Sequence, residues 1–184
     1  MLSQILIDAL YLLALINPVS KIAVLSTTGQ KEEEEEALLP VALRASAIAA
    51  GICLACMFGG DFVLRSVFKV DLHALRISGG LVLTWVGFNA LRKGVFFEQD
   101  LQGRFADLSI VPLACPMIAG PATITASIAL ASEQAGSAPF LALVIAIAIN
   151  LGLMLLARPI AAGLRRFNLL GALIRITGLV VMTM

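Results

Sequence analysis

The sequence predicts an all-α membrane protein with six transmembrane helices. They form two inverted-topology three-helix repeats, with helices 1 and 4 broken. Three observations predict this. First, 60% of the 184 residues are hydrophobic, 14% are charged and the mean hydropathy is +0.99. Soluble domains run at about 45–50% apolar and about 25% charged, and a globule of this size has no interior able to hide the excess, whereas lipid has. Second, charges and Gly/Pro clusters cut the chain into six apolar runs, each near the roughly 20 residues that cross a bilayer. Third, rare residues recur at a fixed shift between the two halves.

The same composition excludes a disordered chain, a disulfide-stapled secreted domain and most soluble enzymes. The net charge of +1 provides no basic field for nucleic acid. No Ser/His/Asp set, metal cluster or nucleotide loop is present, so neither an enzyme nor a resident cofactor is expected. Cys53 and Cys56 have a redox-like spacing, but they lie in an apolar run with no histidine nearby and read as small hydrophobes; Cys115 also sits in an apolar run, so the cysteines say little about redox compartment.

Taken in order, the first run covers 2–26. It lacks a basic n-region and a small-residue cleavage site, so it reads as a retained span. Asn17-Pro18-Val19-Ser20-Lys21 interrupts it. The acidic run 32–36 reads as a solvated loop or a helix start. The second run, 38–60, is opened by Pro40; Ala47, Gly51, Ala55 and Gly59 form a small-residue stripe expected to pack against a neighbour. The third, 72–91, carries Arg76 and the close-packing pair Gly79 and Gly80. The fourth, 108–131, is interrupted by Pro112 and then by the stretch from Cys115 and Pro116 through Gly120, Pro121, Ala122 and Thr123. The fifth, 139–157, holds Asn150 at mid-span, where it needs a partner inside the bundle. The sixth, 169–184, carries Arg175. The chain is thus one membrane domain, 1–184, with 1–92 as the first repeat and 108–184 as the second.

Orientation follows from the basic residues. Lys31, Arg92, Lys93, Arg104, Arg158, Arg165 and Arg166 gather on one side, joined by Arg44 and Arg175 through snorkelling; Arg65, Lys69 and Arg76 lie on the other. The positive side is cytoplasmic, so a multi-pass protein of the cytoplasmic (inner) membrane with both termini outside is expected. His73 falls in an outer loop as a surface residue.

The repeat rests on particular matches. Residues 76–85, Arg-Ile-Ser-Gly-Gly-Leu-Val-Leu-Thr-Trp, align with 175–184, Arg-Ile-Thr-Gly-Leu-Val-Val-Met-Thr-Met, at a shift of 99. Pro40 falls on Pro139 at the same shift, and Pro18 falls on Pro116 at a shift of 98. Three spans per copy is an odd number, so the copies run through the membrane in opposite directions, as in many secondary transporters.

Each copy breaks its first span. Proline lacks an N–H and clashes with the carbonyl four residues back, and unpaired backbone groups are tolerated at membrane depth only in protein or a wet cavity. Matching breaks in the two halves point to a midplane binding site. The half-helix after each break turns its positive end to the cavity, and freed carbonyls suit an ammonium, so a zwitterion fits the pair of poles. The candidate site is Asn17, Pro18, Ser20, Lys21, Cys115, Pro116, Gly120, Pro121, Ala122 and Thr123. Two readings are open for Lys21. It snorkels to the cytoplasmic headgroups, or its ammonium stands at the inner mouth of the cavity, meeting a substrate carboxylate or supplying a fixed positive charge in place of a coupling cation. Arg76 and Arg175 likewise snorkel or serve a gate or salt bridge.

Asn17-Pro18, Leu75-Arg-Ile-Ser-Gly-Gly-Leu81, Val111-Pro-Leu-Ala-Cys-Pro116, Gly120-Pro121 and Arg175-Ile-Thr-Gly-Leu179 resemble the signature blocks of the MarC family, over nearly the whole chain. The resemblance implies a prokaryotic six-span integral membrane protein with paired broken helices around a central site. The family it resembles is linked by name to multiple antibiotic resistance and includes transporters of neutral amino acids. Many members have a second proline where this chain has Ala23, and a glycine where it has Ala122; Lys21 is unusual beside a break. Members usually continue through a fuller last span, whereas 169–184 would reach about 24 Å as a helix, against about 30 Å of hydrocarbon.

The expected function is a secondary transporter moving small neutral amino acids, glycine- or alanine-like, across the cytoplasmic membrane by alternating access. Alternatives are an exporter of other small molecules or drugs, or a non-transporting membrane interaction protein. A drug site would call for aromatic lining, and the chain has one Trp and one Tyr. The expected partners are the substrate and the lipid bilayer, not nucleic acid, and self-association is compatible with the sequence. No acid lies at mid-span, so a proton or sodium as coupling ion comes from the resemblance alone.

Overall fold

A computed structural model of the chain describes residues 2–28, 32–94, 110–134, 136–166 and 169–183. Lys31, Arg104, the first two residues of the 108–131 run and Met184 lie outside the described residues. Among those described, all regular structure is helical. The helices are α1 (Leu2–Ile16), α2 (Pro18–Thr28), α3 (Glu32–Phe62), α4 (Leu72–Lys93), α5 (Pro121–Glu133), α6 (Ala138–Leu155), α7 (Ala157–Arg166) and α8 (Leu170–Thr183). Two wide π-helical segments join them, Val63–Phe68 after α3 and Ile110–Ile118 before α5.

Six spans of equal standing are not what these lengths give. Three helical stretches are long and apolar enough to cross a membrane, Leu38–Val67, His73–Lys93 and Ala138–Leu155. A fourth is counted when α1 and α2 are taken as one span bent by 41°. The stretch 110–133 is divided between a π-helical segment and a short α-helix, and α8 has 14 residues. The second helix also begins earlier than expected: backbone hydrogen bonding starts at Glu32, so Pro40 lies inside α3 rather than opening it.

The buried face of α3 is Ala42, Ala45, Ala49, Cys53 and Met57, a period of three to four residues that lets neighbouring backbones approach. The stripe expected to pack, Ala47, Gly51, Ala55 and Gly59, turns elsewhere. Ala47, Gly51 and Ala55 are exposed, and a Cβ added to Gly51 or Gly59 would meet nothing within 4 Å. Both faces of α3 carry small apolar residues, and the other one fills the interior. Phe58, Phe62, Ile77, Leu81, Trp85, Ile176 and Leu179 are exposed on the outside, more apolar surface than water tolerates and what lipid requires.

The main packing pairs are α4 with α8, α1 with α6, and α3 with α5. Further contacts join α4 to α5, α2 to α8, α2 to α7 and α3 to α6. The α4–α8 pair is close because glycines meet. A Cβ on Gly87 would stand 2.5 Å from the carbonyl oxygen of Gly178, and one on Gly178 2.7 Å from Cβ of Ala90. Of the two glycines expected to pack α4, Gly79 does, against Thr125; Gly80 meets nothing within 4 Å.

Candidate functional site

The first break is built at Asn17. Its N–H closes the last turn of α1 on the Leu13 carbonyl at 2.9 Å, and the residue then takes the left-handed conformation, φ 56°. Asn tolerates that region better than most residues. Pro18 opens α2, where its missing N–H costs no intrahelical bond. Ser20 caps the turn: its N–H and Oγ donate to the Asn17 carbonyl at 3.2 and 2.8 Å.

The second break follows the Ile110–Ile118 segment, which contains Pro116 behind a cis Cys115–Pro116 bond. The Ala119 N–H reaches back five residues to the Ala114 carbonyl at 2.8 Å. Gly120 is extended, φ −83° and ψ 168°, and Pro121 is at the first position of α5. A Cβ on Gly120 would stand 2.5 Å from the Pro116 carbonyl oxygen, so the absence of a side chain is what lets the break fold back. The first-turn N–H groups of α5 have no acceptor within the helix and carry its positive pole.

The two breaks meet at a cavity of about 140 Å³. Of the ten candidate residues, Asn17, Ser20, Pro116, Gly120, Pro121, Ala122 and Thr123 line it; α4 adds Val82, Leu83 and Val86, and α8 adds Val181. Pro18, Lys21 and Cys115 are not on its wall, and Cys115 is exposed. Asn17 is 6% exposed, and its Oδ1 is buried with no hydrogen-bond partner. A buried acceptor left unpaired costs about 1–3 kcal/mol, so this oxygen marks a place for a donor.

The snorkelling reading of Lys21 is overturned, because its side chain is fully buried, at 0% exposure. Nζ donates to the Ile16 carbonyl, to the Asn17 carbonyl at 3.4 Å and, across to the other break, to the Met117 carbonyl at 2.5 Å. The freed carbonyls expected to receive a substrate ammonium therefore hold the chain's own amino group.

A second cavity, of about 370 Å³, shares Leu15, Leu83 and Ala122 with the first. It extends to Tyr11, Thr125, Arg76 and Glu133. Arg76 does not merely snorkel, since its Nη2 donates to Glu133 Oε1 as an ion pair between α4 and α5. Glu133 was not legible as a functional residue; an acid closing an apolar run carries no motif. Nearby in sequence, Gln134 donates to Asp8 Oδ2 at 3.0 Å, tying the end of α5 to α1. Asn150 donates to the Met154 sulfur at 3.3 Å, one turn along its own helix rather than across the bundle, while its Oδ1 has no partner.

With this geometry in view, the comparisons place the chain. The sequence profile described as MarC family integral membrane protein matches residues 2–184. A UPF0056 membrane protein of Pyrococcus horikoshii is 35% identical over 182 residues, covering 99% of this chain and 89% of the relative. The UPF0056 inner membrane protein MarC of Escherichia coli is 30% identical over 178 residues, covering 91% and 78%. A UPF0056 membrane protein of Bacillus subtilis is 29% identical over 154 residues, covering 79% and 71%. No solved structure matches. The chain is a member of the MarC family of integral membrane proteins.

Proposed function

We propose that this protein is a secondary transporter of small neutral amino acids, working by alternating access across the cytoplasmic membrane. The observation that carries the reading is the cavity where the two chain breaks meet, with an unpaired buried acceptor, Asn17 Oδ1, at one break. The start of α5 supplies the complementary pole: its free N–H groups and the Thr123 hydroxyl suit a carboxylate. A zwitterion has one group for each. The volume, about 140 Å³, is below the roughly 300–1,000 Å³ of drug-sized sites, which favours glycine or alanine over a drug.

The second part of the reading is that the two halves are inverted copies forming six crossings, with 110–133 as the broken fourth and α8 as the sixth. The packing pattern supports it. Exchanging the copies turns α1 against α6 into the Ile110–Ile118 segment against α3, turns α3 against α5 into α6 against α2, turns α4 against α5 into α8 against α2, and returns α4 against α8 to itself; all of these contacts occur. Three crossings per copy make six in all, so both termini share one side, and the basic residues make that side the outside. Arg76 and Glu133 fall on the outer side, and the larger cavity is the outer vestibule of the smaller.

Reconstituted protein tested against radiolabelled amino acids and a set of drugs, with and without proton and sodium gradients, decides the matter. Saturable uptake of glycine or alanine, inhibited by the other, is the expected result. Movement of drugs alone, or of nothing, overturns the reading.

A further inference from the structure

Lys21 sits among three backbone carbonyls, of Ile16, Asn17 and Met117. Two belong to the first break and the third to the second, 96 residues away. Among the described residues no carboxylate forms an ion pair with it; the ion pairs found are Arg65–Asp61 and Arg76–Glu133. A lysine ammonium has three N–H donors and no acceptor, one donor for each of the three carbonyls. A neutral amine would turn a lone pair towards an oxygen. Backbone carbonyls freed by broken helices are also the groups that coordinate a coupling sodium in transporters built on such breaks. An ammonium and an alkali cation ask the same of a site: oxygen ligands and one compensated positive charge.

We propose that Lys21 is a resident monovalent cation, holding the seat between the two breaks that a bound alkali ion would otherwise take. Two consequences follow. Removing the side chain creates a vacant oxygen-lined seat able to take an alkali cation. And transport by the native chain needs no sodium gradient, a statement that rests on the function proposed above. The tether also sets geometry: Nζ keeps its bonds to Ile16 and Asn17 within its own broken helix, so a motion that separates the two breaks must part it from Met117.

The first arm of the test is thermal unfolding of purified full-length protein in sodium, lithium, potassium or choline chloride at matched concentration. Wild type is expected to melt at one temperature in all four. Lys21→Ala is expected to melt lower in choline by about 5 °C or more, and to recover at least half of that loss, saturably, in one of the alkali salts, as a specific ligand of the folded state would produce. Lys21→Gln, whose amide fills the space, should melt lower with no alkali recovery. A Lys21→Ala protein that melts like wild type, or equally low in every salt, overturns the proposal. The second arm is glycine uptake by wild type with sodium replaced by choline on both faces. Equal uptake is expected; dependence on sodium overturns the proposal and leaves the transport reading standing. This arm is independent of whether the alanine variant survives purification. Conversely, alkali recovery in Lys21→Ala without uptake of any amino acid by wild type supports the resident cation and removes the substrate assignment.

Discussion

Gly87 of α4 and Gly178 of α8 face each other so closely that a Cβ on Gly178 would lie 3.0 Å from the Gly87 carbonyl oxygen and 2.7 Å from Cβ of Ala90. Gly178→Val therefore forces the helices apart. An overpacked contact costs about 1–3 kcal/mol, read as a fall of several degrees in melting temperature in detergent. Gly51→Val, at an open position, is expected to melt within about 1 °C of wild type. Equal behaviour of the two would mean that α4 and α8 do not pack here.

Substitutions at the second break separate damage to the backbone from filling of the cavity. Gly120→Ala puts its Cβ onto the Pro116 carbonyl oxygen, so it is expected to lower stability and uptake together. Ala122 lines both cavities, and Ala122→Leu places bulk in the neck between them. Its expected signature is a loss of uptake of tenfold or more with a melting temperature close to wild type, and full uptake would exclude this route.

Asn17 combines a backbone role with a side-chain one. Asn17→Gly keeps the left-handed turn, φ 56°, and removes Oδ1. A hydrogen bond to a charged group is worth about 1.5–3 kcal/mol, so KM for glycine should rise by roughly tenfold or more while the protein stays folded. An unchanged KM would place the amine elsewhere.

The Arg76–Glu133 pair is substantially exposed, at 39% and 55%, and such pairs add about 0–1 kcal/mol to stability. Its effect should instead be on access. In a background lacking the three native cysteines, Gly80→Cys reports on the vestibule wall. Glu133→Gln is expected to speed its labelling by an impermeant thiol reagent several-fold without moving the melting temperature. Unchanged labelling would show that the pair does not close the vestibule.

Orientation is checked with single cysteines at positions 2 and 184. Both should react with an impermeant reagent in intact cells; reaction of one alone would contradict the inverted copies.

Composition made the helices legible, because a chain this apolar must pair its backbone internally. The breaks were legible from Asn17-Pro18 and Gly120-Pro121, where proline forbids what its neighbours favour. Which face turns inward was not. On a soluble helix the buried stripe stands out against polar residues, but in α3 the Ala42–Ala45–Ala49 face and the Ala47–Gly51–Ala55 face have the same chemistry, and only tertiary packing chooses between them. Lys21 was legible as a candidate, but the course of its side chain was not, for a related reason. Its spacing put it one turn past a break, but where its side chain runs depended on a carbonyl 96 residues away.

The α4–α8 contact gives the central cavity two walls of unlike mechanics. Val82, Leu83 and Val86 on one helix and Val181 on the other form one side, and glycine-to-backbone contact fastens those helices into a single stiff plate. The opposite side consists of the helix breaks at Asn17 and Gly120, where helical hydrogen bonding lapses and the backbone bends at least energetic cost. Whatever enters is held against a rigid plate by a compliant jaw, and the work of opening falls on a few peptide units of the jaw.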